Sequence, residues 1–149
     1  MILRVQTLFL LAIVGLSAIL IFKPFEIIKD LNNVYLVCLM PGCLSDIMKP
    51  VIYGPMALNF IIIILTLYTI FKFKRRTKQI KFCQIILVLS TLLIGTMFMF
   101  TFVKTENPLA VVDYTKYAFI PAINIILVFL ARWFIKKDDR LVRSADRIR

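Results

Sequence analysis

Histidine is absent from this 149-residue chain, and cysteine is scarce. Without histidine, the chain lacks the side chain that carries protons near neutral pH and the commonest imidazole ligand of metal ions. The three cysteines, Cys38, Cys43 and Cys83, form neither a Cys-x-x-Cys pair nor a zinc-finger spacing. We therefore expect no metal ion, no cofactor and no catalytic residue.

Acidic residues are few, and long stretches of the chain carry no charge of either sign. Asp and Glu number 8 against 19 Lys and Arg, which gives a formal net charge of +11. The hydrophobic fraction is 61%, well above the roughly 45–50% of soluble chains. A soluble domain of this length cannot cover so much apolar surface, whereas a lipid bilayer can surround it.

Four runs are long and apolar enough to cross a bilayer as helices. These runs cover residues 5–22, 51–71, 82–103 and 117–135. Only the last contains a charge, Arg132, which lies near the end of its run and can extend to the headgroups. The runs are apolar on all faces, whereas the strands of a membrane barrel alternate in polarity. The sequence therefore predicts an all-α membrane protein, with one four-helix bundle in residues 1–149.

Lysine and arginine are distributed unevenly over the segments that join these runs. The net charge is +1 before the first run, 0 in residues 23–50, +6 in residues 72–81, 0 in residues 104–116 and +4 from Arg132 onward. Short cytoplasmic loops carry the excess of Lys and Arg, so both termini are predicted to be cytoplasmic. We expect a multi-pass membrane protein, with residues 136–149 as a cytoplasmic helical tail.

The second loop contains six cations and no acid. These cations are Lys72, Lys74, Arg75, Arg76, Lys78 and Lys81. Such a cluster can contact nucleic-acid phosphates, but topology control and contact with anionic lipid explain it with no further assumption. We predict that these side chains contact the anionic headgroups of the bilayer and that the chain binds no nucleic acid.

The first loop, residues 23–50, is the largest extracytoplasmic element. Alternating and β-branched residues before Pro41-Gly42 predict a short strand or hairpin over the helix ends, and an irregular amphipathic loop is the alternative. Cys38 and Cys43 lie on the oxidising side, five residues apart across this turn, so a disulfide between them is permitted. Two buried free thiols are the alternative.

Polar side chains inside the four runs are neutral. Because no acid or lysine lies between the boundary charges, the sequence indicates neither a proton relay nor a voltage sensor. We predict interhelical hydrogen bonds for Asn59, Asn124 and Gln84, with a shallow polar site as the alternative. Asn59 and Asn124 also occur in similar contexts, which indicates either a duplicated two-helix unit or chance similarity.

The tail beyond the fourth run has helical periodicity. Leu141, Ala145 and Ile148 recur at i, i+4 and i+7, and Asp139 precedes Arg143 by four residues. The pattern predicts that the tail continues the fourth helix. Its end either docks a cytoplasmic protein partner or forms a solvated helix end that touches lipid.

Both ends of the chain, MILRVQTLFLLAIV and RWFIKKDDRLVRSADRIR, together with the loop segment KRRTKQIKF, resemble a known family. It is the Bacteroidota membrane family called domain of unknown function 4293. The resemblance covers the whole chain and implies a four-span inner-membrane protein, but it brings no activity, cofactor or catalytic residue. The likeness of the tail implies that its residues serve more than topology. The candidate docking residues are Leu141, Val142, Arg143, Ser144 and Asp146.

Three functions are compatible with the sequence. The favoured one is a non-enzymatic accessory or scaffold protein that binds a partner through the basic loop and the tail. The second is a small transporter or channel for a neutral or apolar solute, acting alone or as a homo-oligomer. Its path would be lined by Asn59, Asn124, Gln84, Pro55 and Pro121. The third is a membrane enzyme acting on lipid or thiols, with the first-loop cysteines as its only redox pair.

Overall fold

The computed structural model describes residues 5–29, 34–40, 49–72, 76–104 and 111–146. Four helices dominate these residues: α1 (Val5–Phe22), α2 (Lys49–Phe71), α3 (Arg76–Lys104) and α4 (Ile120–Asp146). The other elements are β1 (Glu26–Lys29), β2 (Val34–Val37), β3 (Val111–Tyr114) and a 3-10 turn at Lys116–Phe119. All four helices are long and apolar enough to cross a membrane. The prediction of a mostly helical, multi-pass chain is thereby confirmed.

The helices form a ring in which each contacts its neighbours along the chain and α4 returns to α1. One stripe of each helix is buried, with steps of three or four residues that bring side chains to the same face. In α1 the stripe consists of Gln6, Leu10, Ile13, Ser17 and Leu20. In α2 and α3 it consists of Pro55, Asn59, Ile62, Thr66 and Thr69, and of Gln79, Cys83, Ile86, Ser90, Leu93 and Met97. In α4 it consists of Ile120, Asn124, Val128, Ala131 and Ile135. An alternating 3-4 spacing favours shallow left-handed helix packing.

The outer faces of the bundle are more apolar than its inner stripes. Ile64, Val88 and Ile126 are each more than half exposed, whereas the buried stripes contain Asn, Gln, Ser and Thr. Lipid tails solvate an aliphatic side chain as well as a protein interior does, so apolar residues do not select a face. A polar side chain loses its partners in lipid, and it therefore determines which face of each helix turns inward.

Both ends of the described chain lie at the same end of the bundle. Phe9 of α1 stacks on Phe134 of α4 with ring centroids 5.6 Å apart. We call this the tail end, and the opposite end, where the strands lie, the sheet end. Exposed aromatic rings are found at both boundaries, as is common at membrane interfaces. In α2, Tyr53 and Phe71 lie about 27 Å apart along the axis, close to the thickness of a hydrocarbon core.

A three-stranded antiparallel sheet, ordered β2–β1–β3, lies at the sheet end. Glu26 of β1 pairs with Val37 of β2 on one side and with Tyr114 of β3 on the other. The sheet therefore joins the first loop to the third loop. Where loops meet a membrane, their backbone N–H and C=O groups need partners, and the two loops supply each other with them.

The sheet confirms the strand predicted in the first loop. This strand, β2, precedes Pro41-Gly42 and pairs with β1, which comes before it in the chain. The third loop, for which no prediction of secondary structure was made from the sequence, contributes β3. Two hydrogen bonds from Thr115 fix the junction: its N–H donates to the Phe25 carbonyl oxygen at 3.0 Å, and its hydroxyl donates to the Pro24 carbonyl oxygen at 2.6 Å.

Candidate functional site

A buried polar layer joins three helices toward the sheet end. Asn59 Nδ2 of α2 donates to the carbonyl oxygen of Ser17 in α1 at 3.0 Å. Asn124 Nδ2 of α4 donates to Ser17 Oγ, also at 3.0 Å. Both asparagines thus make interhelical hydrogen bonds, as the sequence predicts, and both reach the same residue of α1. Ser17 was not among the predicted residues. The sequence feature that could have identified Ser17 is its place, with Gln6, on the 3-4 spaced stripe of α1.

Two buried acceptor atoms of this layer have no hydrogen-bond donor among the described residues. Within the described residues, no donor lies within hydrogen-bond distance of Asn59 Oδ1 or Asn124 Oδ1. Hard cations in proteins take six or more oxygen ligands, commonly including carboxylates, and this layer offers few oxygens and no acid. The part of the chain that the structure describes also contains no group of His, Cys, Asp and Glu residues that could hold a metal ion. The arrangement therefore suits helix packing better than ion binding.

A third interhelical hydrogen bond lies nearer the tail end. Gln79 Nε2 of α3 donates to the Thr69 carbonyl oxygen of α2 at 3.0 Å, and the Gln79 side chain is buried. Gln84, for which this type of contact was predicted, is exposed instead. The correction follows from the buried stripe of α3, to which Gln79 and Cys83 belong. Gln84 comes one residue after Cys83 and is rotated away by about 100°.

Buried hydroxyl groups in the helices bond to their own backbone. Thr66 Oγ1 donates to the Ile62 carbonyl oxygen at 2.6 Å, and Ser90 Oγ donates to the Ile86 carbonyl oxygen at 2.9 Å. The Thr69 hydroxyl likewise donates to a backbone carbonyl oxygen one turn earlier in α2. Such bonds to the preceding turn use the hydroxyl proton locally. These hydroxyls do not form a continuous polar path with the asparagines.

One carboxyl group is buried at the sheet end. Along β1, Glu26 and Ile28 face the covered side, whereas Ile27 and Lys29 alternate to the other side. Glu26 is fully buried. In the sequence analysis it was counted only as one of the acids that bring the net charge of residues 23–50 to zero. Lys29 forms an ion pair with Asp113 of β3, with 2.6 Å between Nζ and Oδ2. Both side chains of this pair are about half exposed.

The cysteines differ in chemical state. Cys38 is buried and disulfide-bonded, and Cys83 is a buried free thiol. Cys43, the predicted partner of Cys38, lies outside the described residues, and this pairing stays a prediction.

The basic loop lies at the tail end of the bundle. The Lys72 ammonium group is 5.3 Å from the ring centroid of Tyr68, so it reaches back over the helix that it follows. Lys78 and Lys81 are exposed in the first turns of α3. Outside the described residues and side chains lie Lys74, Arg75 and the side chain of Arg76. Contact of this loop with anionic lipid stays a prediction.

The fourth helix continues without a break into the tail, as far as Asp146. Of the candidate docking residues, Leu141 is 61% exposed. The side chains outside the described part are those of Val142, Arg143, Ser144 and Asp146. One turn before Leu141, the Lys137 ammonium group lies 5.5 Å from the ring centroid of Trp133. The tail therefore presents apolar, aromatic and cationic side chains on one continuous helix.

Comparison with known proteins identifies a family. A family model described as "Domain of unknown function (DUF4293)" matches residues 2–148. No curated protein and no solved structure matches the chain.

Proposed function

The chain belongs to the DUF4293 family, and from this premise we propose that it is a non-enzymatic accessory or scaffold protein of the bacterial inner membrane. In this proposal the sheet end faces outward and the tail end faces the cytoplasm. The basic loop and the tail of α4 then hold a protein partner at the cytoplasmic face. Orientation follows from the excess of Lys and Arg at the tail end.

The observation that carries the proposal is the form of α4. This helix runs from Ile120 to Asp146, well beyond the apolar part of its sequence. Six residues after that part ends, Leu141 is 61% exposed. A preformed helix with an exposed apolar residue next to a charged one can dock in a groove of a partner at little cost in conformational entropy.

The interior of the bundle gives less support to transport. A path for a neutral solute would need Asn59, Asn124 and Gln84 to face a common space. Asn59 and Asn124 donate to Ser17, and Gln84 is exposed on the outside of α3. The buried hydroxyls described above are bonded to their own helices. We therefore prefer the docking function.

Site-specific photocrosslinking in intact cells tests the docking function. A photoreactive amino acid replaces Leu141 in one variant and Ile126 in a control variant. The two residues lie on the same helix and are 61% and 60% exposed, but Ile126 lies in the middle of the membrane-crossing part. We expect position 141 to give one discrete protein adduct, position 126 to give none, and Arg143→Glu to weaken the adduct. Adducts of position 141 with lipid alone would contradict the proposal.

A further inference from the structure

The cations near the end of α4 are gathered on one face. Arg132, Lys136, Lys137 and Arg140 fall within an arc of about 140° at 100° per residue. Trp133 lies inside the same arc. We call these five residues the α4 cationic face. They extend over about 12 Å of the helix axis, and all except the half-buried Arg132 are exposed.

Two acidic residues of the same segment lie outside this arc, Asp138 about 100° from the nearest cation and Asp139 at its edge, about 20° from Arg132. Asp138 adjoins a surface hollow that is also lined by Val5 and Gln6 of α1, and it therefore faces the bundle. Four cations against one bordering carboxylate leave the α4 cationic face with a net positive charge. The face borders two adjoining surface hollows, both lined by Trp133 and Lys136.

We propose that the α4 cationic face binds the phosphodiester headgroup of an anionic phospholipid. The face lies where α4 passes from apolar to charged sequence, which is the depth of the headgroups. Arginine and lysine supply the donors that phosphate oxygens accept. The exposed Trp133 ring, with Lys137 over it at 5.5 Å, is of the type that anchors helices at this depth. The face lies on α4 and not in the basic loop segment, and it needs no protein partner.

Trp133 provides the test, because it is the single tryptophan of the chain. The full chain is reconstituted in vesicles of phosphatidylcholine and phosphatidylglycerol, with brominated acyl chains on one lipid or the other. Since each cation near the surface strengthens attraction to anionic lipid, we expect quenching by brominated phosphatidylglycerol to be at least about threefold greater at equal mole fraction. The preference should shrink as the salt concentration rises.

Two double variants distinguish an effect of the α4 cationic face from an effect of the net charge of the chain. Lys136→Gln/Lys137→Gln is expected to lose most of the preference, whereas Lys23→Gln/Lys116→Gln removes the same charge at the sheet end and should retain it. Lys116 lies 5.5 Å from the Tyr117 ring centroid, so the control also removes an equivalent cation–aromatic contact. An additional single variant in the face, Arg140→Gln, should show a partial loss.

The structural integrity of each variant is checked through Cys83, whose buried thiol should resist maleimide in a folded bundle. Equal quenching by the two lipids in the unmodified chain would overturn the proposal. A preference that survives in the folded Lys136→Gln/Lys137→Gln variant would also overturn it. Inorganic phosphate or polyglutamate at constant ionic strength should leave the quenching unchanged. Displacement of the lipid by either would mean that the face binds free phosphate or an acidic protein instead.

Discussion

Replacing the Ser17 hydroxyl should weaken one of the two asparagine contacts and spare the other. Asn124 donates to the side chain of Ser17, whereas Asn59 donates to its backbone carbonyl oxygen. Ser17→Ala removes only the first acceptor and changes the side-chain volume little. The two asparagines therefore provide a test and a matched control at a single position of α1.

A double-mutant cycle gives the magnitude. Both bonds are 3.0 Å long and buried, so we take a value within the measured range for membrane helices. We expect Ser17→Ala and Asn124→Ala to be coupled by about 1 kcal/mol, within a range of roughly 0.6–1.7 kcal/mol. Ser17→Ala and Asn59→Ala should instead be additive to within about 0.3–0.5 kcal/mol, because the carbonyl acceptor remains in the alanine variant.

The free energy of unfolding of the chain and its variants can be measured in bicelles by reversible denaturation or by steric trapping. Circular dichroism checks that each variant keeps its helix content before the cycle is calculated. A coupling energy near zero for Ser17 and Asn124 would refute the assignment of this bond. An equal coupling for Ser17 and Asn59 would refute the argument from side-chain and backbone acceptors.

Three further outcomes are expected. Gln79→Leu should destabilise the bundle by about 1–2 kcal/mol through loss of a buried interhelical bond, whereas Gln84→Leu should be neutral or slightly stabilising in the same unfolding assay. In intact cells, Val111→Cys should react with a membrane-impermeant maleimide and Leu141→Cys should react only after permeabilisation. The reverse labelling would contradict the predicted orientation. The thiol of Cys83 should react with a small permeant maleimide only after the bundle is unfolded, and rapid labelling of the native chain would contradict its burial.

Hydropathy was sufficient to predict the four helices. A helix in lipid satisfies its backbone internally, so a long uncharged run predicts the element without reference to its neighbours. The first helix covers Val5–Phe22. The last one continues into the tail, whose helical period was already readable in the sequence.

Which polar residues face inward was harder to predict. Asn59 and Asn124 were identified because an amide deep in an apolar run needs a partner. Gln84, which lies near the end of its run, was also predicted to make an interhelical contact and is exposed, while Gln79, within the basic loop segment, is buried. The 3-4 spacing of polar and small residues along each helix distinguishes inward-facing from outward-facing positions. Using it requires the relative positions of the polar residues in a helix, and their number alone is not enough.

The sequence by itself determined the number of helices, their placement in the chain and the asymmetric charge of the two ends, because each depends on local composition. Only the tertiary structure decided that Ser17 accepts hydrogen bonds from two asparagines, that β1 pairs with β3 and that Glu26 is buried. These are contacts between segments far apart in the chain, and no local pattern encodes the partner. Lipid solvates every apolar face alike. The rotation of each helix about its axis therefore depends on the hydrogen bonds between its few polar groups and those of other helices.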